Sequence, residues 1–95
     1  MPEICFQIQW PNGSEETCYS PSSVVKDYFM PDSEYALDDF VERSHTALKI
    51  ASDRVLAKYG MPCSRALGQL QRIEATAAQY SHLSQPKVRF IQFLE

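Results

Sequence analysis

The sequence has no apolar run near the roughly 20 residues that a membrane-spanning helix needs. Its start, MPEICFQ, has no basic segment followed by an apolar one, so we expect no secretory signal and a cytoplasmic protein. Basic runs are also missing, because nine Lys and Arg residues are scattered along 95 residues with a formal net charge of −3. Nucleic-acid binding depends on neutralising phosphates, so we expect neither nucleic acid nor membrane as a partner.

Cysteine is scarce and poorly spaced for binding a metal. Cys5, Cys18 and Cys63 show no C-x₂₋₄-C spacing, so a Cys₃His zinc site is disfavoured and we predict no metal and no cofactor. An odd number of thiols without an export signal predicts free cysteines. Cys63, near a predicted helix start, is placed for a redox-sensitive or nucleophilic role. No base is placed beside it, so we favour an inert thiol.

The stretch WPNGSEETCYSP, residues 10–21, resembles a binding motif in its residue types, but its pattern predicts a β-hairpin. Asn12 and Gly13 tolerate the positive φ of a two-residue type I′ turn. This register places Trp10 opposite Glu15 and gives the hairpin one apolar, core-facing side. The predicted core side holds Ile4, Phe6, Ile8, Trp10, Thr17 and Tyr19, and the polar side holds Cys5, Gln7, Gln9, Glu16 and Cys18.

A short helix is predicted directly after the hairpin. Ser20 is an N-cap residue type, and Pro21 suits the first helical position that follows. The helix is predicted to run to about Phe29, where Met-Pro-Asp-Ser at positions 30–33 ends it.

Two long helices follow. The first is predicted from position 38 or 39 to Tyr59, with Asp39 as its cap and Gly60 just past its end. The second is predicted from about Ser64 to Ser81, and the short connection favours an antiparallel helical pair. The predicted buried stripes are Phe40, Val41, Ser44, Ala47, Leu48, Ala51, Val55 and Tyr59, then Ala66, Leu67, Leu70, Ile73, Ala77 and Tyr80.

The tail KVRFIQFLE, residues 87–95, predicts a strand with Val88, Phe90 and Leu94 on one side and Ile91 and Phe93 on the other. Both sides are partly apolar, so the strand needs cover and is predicted to pair with the hairpin. The predicted fold is one α+β domain over residues 1–95. Its N-terminal β-hairpin and C-terminal strand form a small antiparallel sheet on one short and two long helices (ββαααβ). The apolar tail on so short a chain also predicts a homo-oligomer.

No residue combination predicts catalysis. A catalytic histidine needs a positioned partner, and the sequence places none beside His45 or His82. The serines around Pro21 are placed to hold an anion, but the glycines of a phosphate loop are missing and capping is favoured. Arg43 and Arg54 share one helix flank and predict a contact surface for an acidic partner. The candidate ligand or partner surface is Tyr19, Ser20, Arg43, His45, Asp53 and Arg54.

The phrases WPNGSEETCYSPSSVVKDYF, DDFVERSHTAL, IASDRVLAKYG and CSRALGQLQRIE, in this order and spacing, resemble the family of small bacterial nitrogen-starvation response proteins. The resemblance covers roughly residues 1 to 80 and leaves out the tail. It implies induction when nitrogen is scarce and a gene neighbourhood with a nitrilase and other biosynthetic enzymes, and it transfers no catalytic residue.

Two functional hypotheses from different classes follow from these observations. The first is a non-enzymatic accessory or regulatory protein of the nitrogen-starvation response, which binds an enzyme of a nitrilase-containing pathway or itself. The alternative is a small-ligand-binding protein or enzyme of the same pathway. Its pocket would lie between the hairpin and the helices and would be lined by Tyr19, Ser20, His45 and Asp53.

Overall fold

The computed structural model describes residues 3–61 and 63–94. Its strands form one antiparallel sheet of four in the order β2-β1-β4-β3, and the helices cover one face of it. The predicted α+β class is confirmed, with one strand more and one full helix fewer than expected. The elements are β1 (Ile4–Gln9), β2 (Glu15–Ser20), a 3₁₀ helix (Ser23–Asp27), β3 (Ser33–Ala36), α1 (Leu37–Tyr59), α2 (Ser64–Ala78) and β4 (Lys87–Leu94).

The β1–β2 turn contains three residues instead of the predicted two. The Trp10 N–H donates to the Ser14 carbonyl at 2.8 Å, and the Gly13 N–H donates to the Trp10 carbonyl at 2.8 Å. Pro11 and Asn12 are therefore the central residues of a tight turn, and Gly13 follows in the left-handed region at φ 90°. Proline favours the first central position of a type I turn, which explains why this loop wins over type I′.

The longer loop shifts β2 by one residue. Phe6 pairs with Cys18, whereas the predicted register put Tyr19 opposite it. Because a one-residue shift exchanges the faces of a strand, Cys18 is buried in the core and 1% exposed. The predicted outward position of Cys18 and the predicted core positions of Thr17 and Tyr19 are wrong. The core positions predicted before the turn are confirmed, namely Ile4, Phe6, Ile8 and Trp10.

The segment after β2 contains less helix and more strand than predicted. Ser20 belongs to β2, and its hydroxyl donates to the Ser22 carbonyl at 2.7 Å. The cap is Ser22, whose Oγ accepts from the Val24 N–H at 3.3 Å and starts a single 3₁₀ turn. β3 then pairs with β4 and was not predicted, because four residues carry too little alternation to identify a strand.

β4 is an interior strand that contains a β-bulge. It pairs with β1, as predicted, and with β3 on its other side. Gln7 pairs with Gln92 while the next β1 residue pairs with Phe90, so Ile91 is an extra residue. The bulge returns Phe93 to the side of Phe90, and their ring centroids lie 4.8 Å apart. The predicted grouping of Ile91 and Phe93 against Phe90 is therefore wrong.

The prediction holds at one end of α1 and fails at the other. At its C-terminus Gly60 adopts φ 78°, and its N–H donates to the Leu56 carbonyl at 2.8 Å, as expected for a left-handed cap. At its N-terminus the cap position is Ala36 and no side chain caps the helix, so the predicted capping role of Asp39 is wrong. Asp39 instead pairs with Arg43 one turn later, at 3.0 Å.

The helices pack on the inner face of the sheet around an aromatic core. Phe29 stacks on Phe90 with ring centroids 4.9 Å apart. The predicted buried stripes fail near the α1–α2 connection, where Tyr59 is 64% and Leu67 39% exposed. α2 also ends before the predicted Ser81. Neither helix of the described chain combines the length and apolar character needed to cross a membrane.

Candidate interaction surface

Several apolar side chains near the connection between α1 and α2 are exposed to solvent. The left-handed Gly60 stops α1, and the chain reaches α2 within a few residues. The exposed fractions are 44% for Leu56, 64% for Tyr59, 71% for Met61 and 39% for Leu67. These four side chains, the helical tip, are four of the seven large apolar side chains that the described residues expose. Since exposed apolar clusters mark contact sites, the helical tip is a candidate binding surface.

A small cleft of about 200 Å³ borders the helical tip. Tyr59 belongs to both, and Tyr19 contributes from β2. The guanidinium of Arg65 lies over the Tyr19 ring, 3.9 Å from its centroid, in a cation–π contact. The cleft is lined by Glu3, Tyr19, Pro21, Val55, Tyr59 and Cys63.

The polar groups of this cleft are suited to hydrogen bonding rather than to nucleophilic chemistry. Burial, followed by the nearby charge of Glu3, raises the pKa of Tyr19 above its ordinary value, so its hydroxyl keeps its proton to a higher pH than an ordinary tyrosine does. Cys63 is half-buried at the start of α2, and its side chain does not cap the helix. A nucleophilic thiol needs an adjacent base. Among the described residues that line the cleft, none is a histidine or lysine.

A second, larger cavity lies between the start of α1 and the end of α2. This helical groove has a volume of about 450 Å³ and includes His45, one of the candidate residues. Leu37 and Ala77, both nearly fully buried, form part of its apolar floor. It is lined by Leu37, Asp38, Val41, Glu42, His45, Glu74, Ala77, Ala78 and Ser81.

Three of the candidate residues form hydrogen bonds within the chain that stabilise the fold. Ser20 is fully buried and hydrogen-bonded to Ser22. Arg43 donates to the Tyr28 carbonyl at 2.9 Å and also pairs with Asp39, so it ties α1 to the segment after the 3₁₀ helix. Arg54 donates to the Ser22 hydroxyl at 3.1 Å. Both arginines of the predicted acidic-partner surface thus make contacts within the chain.

The remaining candidate residues do not share one site. Tyr19 lies in the cleft at the helical tip, whereas His45 lies in the helical groove at the other end of the helices. Asp53 is exposed on α1 and lines neither cavity. The predicted pocket that combines Tyr19, Ser20, His45 and Asp53 would need residues from both ends. Contact of these residues with a ligand or partner stays a prediction.

The three cysteines lie in three different environments. Cys18 is in the core, Cys5 lies on the outer face of the sheet, and Cys63 lies in the cleft. All three thiols are free. Burial, and secondarily the charge of Glu16, raises the pKa of the Cys18 thiol far above its ordinary value. In residues 3–61 and 63–94 no three His, Cys, Asp or Glu side chains lie close enough together to hold a metal ion.

Sequence reasoning missed a partly buried polar link beside the β-turn. Glu16, predicted on the polar face, accepts a hydrogen bond from Trp10 Nε1 at 3.0 Å and pairs with Arg72 of α2 at 3.2 Å. A cavity of about 510 Å³ lies near it, between the β-turn and the segment that enters β4. Only the correct register brings Glu16 to this side of the sheet, so the alternation of the sequence carried no usable signal.

The helical tip was also missed, although one signal was present. Leu56 is an apolar residue outside the predicted stripe of α1. A large apolar side chain that is out of phase with a buried stripe points to a contact surface or to solvent. The acidic residues Glu42 and Glu74 of the helical groove were missed because their proximity depends on how the two helices pair.

These features define a small two-layer α+β protein with exposed apolar side chains at one end of its helical pair. The family model of the nitrogen starvation-induced protein NitG matches residues 5–93, and the chain belongs to this family. The resemblance inferred from the sequence is confirmed and extends through nearly all of β4, beyond the expected limit near residue 80. No curated protein and no solved structure matches the chain.

Proposed function

We propose that this protein is a non-enzymatic accessory or regulatory component of the nitrogen-starvation response, and that it binds an enzyme of a nitrilase-containing pathway in the cytoplasm. Membership of the NitG family supports the physiological setting. The observation that carries the binding role is the concentration of exposed apolar side chains at the helical tip.

The physical argument rests on the cost of exposed apolar surface. A Leu, Met or Tyr side chain gains about 1.5–3 kcal/mol when it moves from water to a fully buried site. Tyr59 and Met61 each keep well over half of that surface in water. Tyrosine is enriched among the residues that dominate interface energies, where truncation costs about 2 kcal/mol or more. A partner that covers the helical tip therefore gains the free energy of burying these side chains.

Self-association is the second form of this hypothesis. The apolar tail that predicted it is β4, which has strands on both sides, so its backbone hydrogen bonds are satisfied within one chain. β4 therefore offers no open edge to a second copy, although Leu94 stays 40% exposed. The helical tip could be covered by an enzyme or by a second copy of this chain. Sedimentation of the pure chain distinguishes these two forms of the hypothesis.

The test is recovery of partners from nitrogen-starved cells. The chain carrying Tyr59→Ser and Met61→Ser should lose the partner, because two anchors worth about 2 kcal/mol each together lower affinity by up to about a thousandfold. Met30→Ser is the matched control, because Met30 is 68% exposed away from the helical tip. All variants should keep their stability within about 0.5 kcal/mol, since the changes are on the surface.

We expect the wild type and the Met30 control to retain an enzyme of the pathway and the tip variant to release it. Equal recovery by all three chains would refute the role of the helical tip. If the pure wild type instead turned over a nitrile or amide substrate without any partner, the accessory function would give way to the enzyme alternative.

A further inference from the structure

We propose that the helical groove is a second docking site, which takes a basic amphipathic helix from the partner protein. The inference rests on the proposed function, because a chain without a protein partner would have no such occupant. It concerns a different part of the molecule from the helical tip. The groove combines an apolar floor with a rim of carboxylates, and this combination determines the chemistry of the occupant.

The rim of the groove carries three carboxylates that the fold does not neutralise. They are Asp38 and Glu42 on α1 and Glu74 on α2. Within the described chain no Lys or Arg side chain pairs with any of them. No lysine or arginine lines the groove either. A cation that reaches the rim therefore finds carboxylates that have no competing partner.

Local electrostatics disfavour this arrangement in the absence of a ligand. Asp38 and Glu42 are four residues apart on one helix, and like charges at this spacing repel each other. Glu74 lies one turn before the C-terminus of α2, and the last turn of α2 contains no basic residue that balances its charge. Asp38 also lies in the first turn of α1, where the helix dipole stabilises negative charge. Positive charge on a ligand therefore relieves chiefly the repulsion that involves Glu42 and the unbalanced charge of Glu74.

The apolar floor of the groove disfavours a ligand that carries only charged groups. Val41 and Ala78 continue the apolar surface of Leu37 and Ala77 between the two helices. A ligand needs apolar groups to cover this surface and cations on both sides to reach the rim. An amphipathic helix laid between two helices meets both needs, because its apolar stripe faces the groove and its flanking Lys or Arg residues repeat every turn.

The test uses the full chain and three labelled synthetic peptides of about four helical turns. The peptides share one leucine stripe and carry lysine, glutamine or glutamate on their flanks. Fluorescence anisotropy should show binding of the lysine peptide, weaker binding of the glutamine peptide and none of the glutamate peptide. Added salt should weaken the lysine peptide most, because exposed charge pairs are screened.

Variants assign the binding to the groove. The double change Glu42→Gln and Glu74→Gln keeps side-chain shape and should weaken the lysine peptide about three- to thirtyfold, as expected for two exposed pairs. Ala78→Trp should block binding by filling the groove. Asp27→Asn is the control, since Asp27 is exposed on the 3₁₀ helix and should leave affinity unchanged. The tip variant should also bind the lysine peptide normally.

Several outcomes would overturn the proposal. One is equal binding of the three peptides, which would reveal unspecific apolar adhesion. Another is unchanged affinity in the Glu42 and Glu74 variant. A site that binds spermine but not the lysine peptide would belong to a small organic cation, and loss of self-association in the same variant would assign the groove to a second copy. Normal peptide binding combined with no partner in cells would instead refute only the proposed function.

Discussion

The change Cys18→Ser separates the observed strand register from the one that the turn sequence predicts. In the observed register the thiol is 1% exposed and belongs to the apolar core cluster. In the predicted register the same thiol faces solvent, and its replacement by a hydroxyl would have little effect. Cys5→Ser is the matched control, because Cys5 lies half-buried on the outer face of the adjacent strand.

The magnitude follows from the surroundings of the thiol. A hydroxyl placed in an apolar site without a hydrogen-bond partner costs about 1–3 kcal/mol. For a domain of this size each kcal/mol lowers Tm by about 4–8 °C. We therefore expect Cys18→Ser to lower Tm by roughly 5–20 °C. Cys5→Ser should change the free energy of unfolding by no more than about 0.5 kcal/mol.

Urea and thermal denaturation of the three chains provide the measurement. Tryptophan fluorescence is a suitable probe, because the single tryptophan, Trp10, is 3% exposed next to Phe40. Equal stabilities of the two serine variants would refute the buried position of Cys18 and, with it, the register of β2. A larger loss for Cys5→Ser would have the same meaning.

Four further predictions concern the Cys18 thiol, two glycines and Glu16. The free energy of unfolding should fall as the pH rises above about 8.5, the pKa of an unfolded thiol, because the unfolded chain releases the Cys18 proton first. The slope should reach up to about 1.4 kcal/mol per pH unit. It should be smaller in Cys18→Ala, and equal slopes in urea titrations would refute the burial of the thiol. Gly13→Val should destabilise the chain by about 1–2 kcal/mol, because φ is 90° there. Gly68→Ala should stabilise it by about 0.5–1 kcal/mol, because that helical site has open space for a Cβ. Thermal melts check both signs, and a stabilising Gly13 change would contradict the turn. Glu16→Leu should cost about 1–3 kcal/mol by leaving the Trp10 N–H without its acceptor, whereas Glu16→Gln should cost much less. Equal losses in urea unfolding would contradict the hydrogen bond.

The parts of the fold that sequence predicts well have strong and repeated patterns. β1 alternates three large apolar residues with polar ones, so its faces are unambiguous. α1 repeats its apolar residues over many turns, and Gly60 marks its end. β2 is different, because EETCYS offers either Thr17 and Tyr19 or Cys18 and Ser20 as a core face. The length of the turn decides between them, and Pro11 was the residue that predicts the longer one.

The other errors arise from contacts between distant residues. β3 is stable only because β4, some 50 residues later, supplies its hydrogen bonds. The bulge at Ile91 depends on how β4 meets β1 and leaves no mark in the local sequence. The same holds for the helical groove, since His45 and Glu74 become neighbours only when the two helices pair. Within the helical tip, the position of Leu56 outside the apolar stripe of α1 already indicated its exposure.

The interior position of β4 also has a consequence for how the protein is made. β1 and β3 have β4 between them, so the sheet stays in two pieces until the ribosome has passed Leu94. Until then Phe6 and Phe29 lack Phe90, whose ring centroid lies 5.5 Å and 4.9 Å from theirs. A nascent chain with unpaired strand edges and uncovered aromatic rings attracts chaperones and other nascent chains. Assembly of the sheet is therefore expected to wait until β4 has been synthesised.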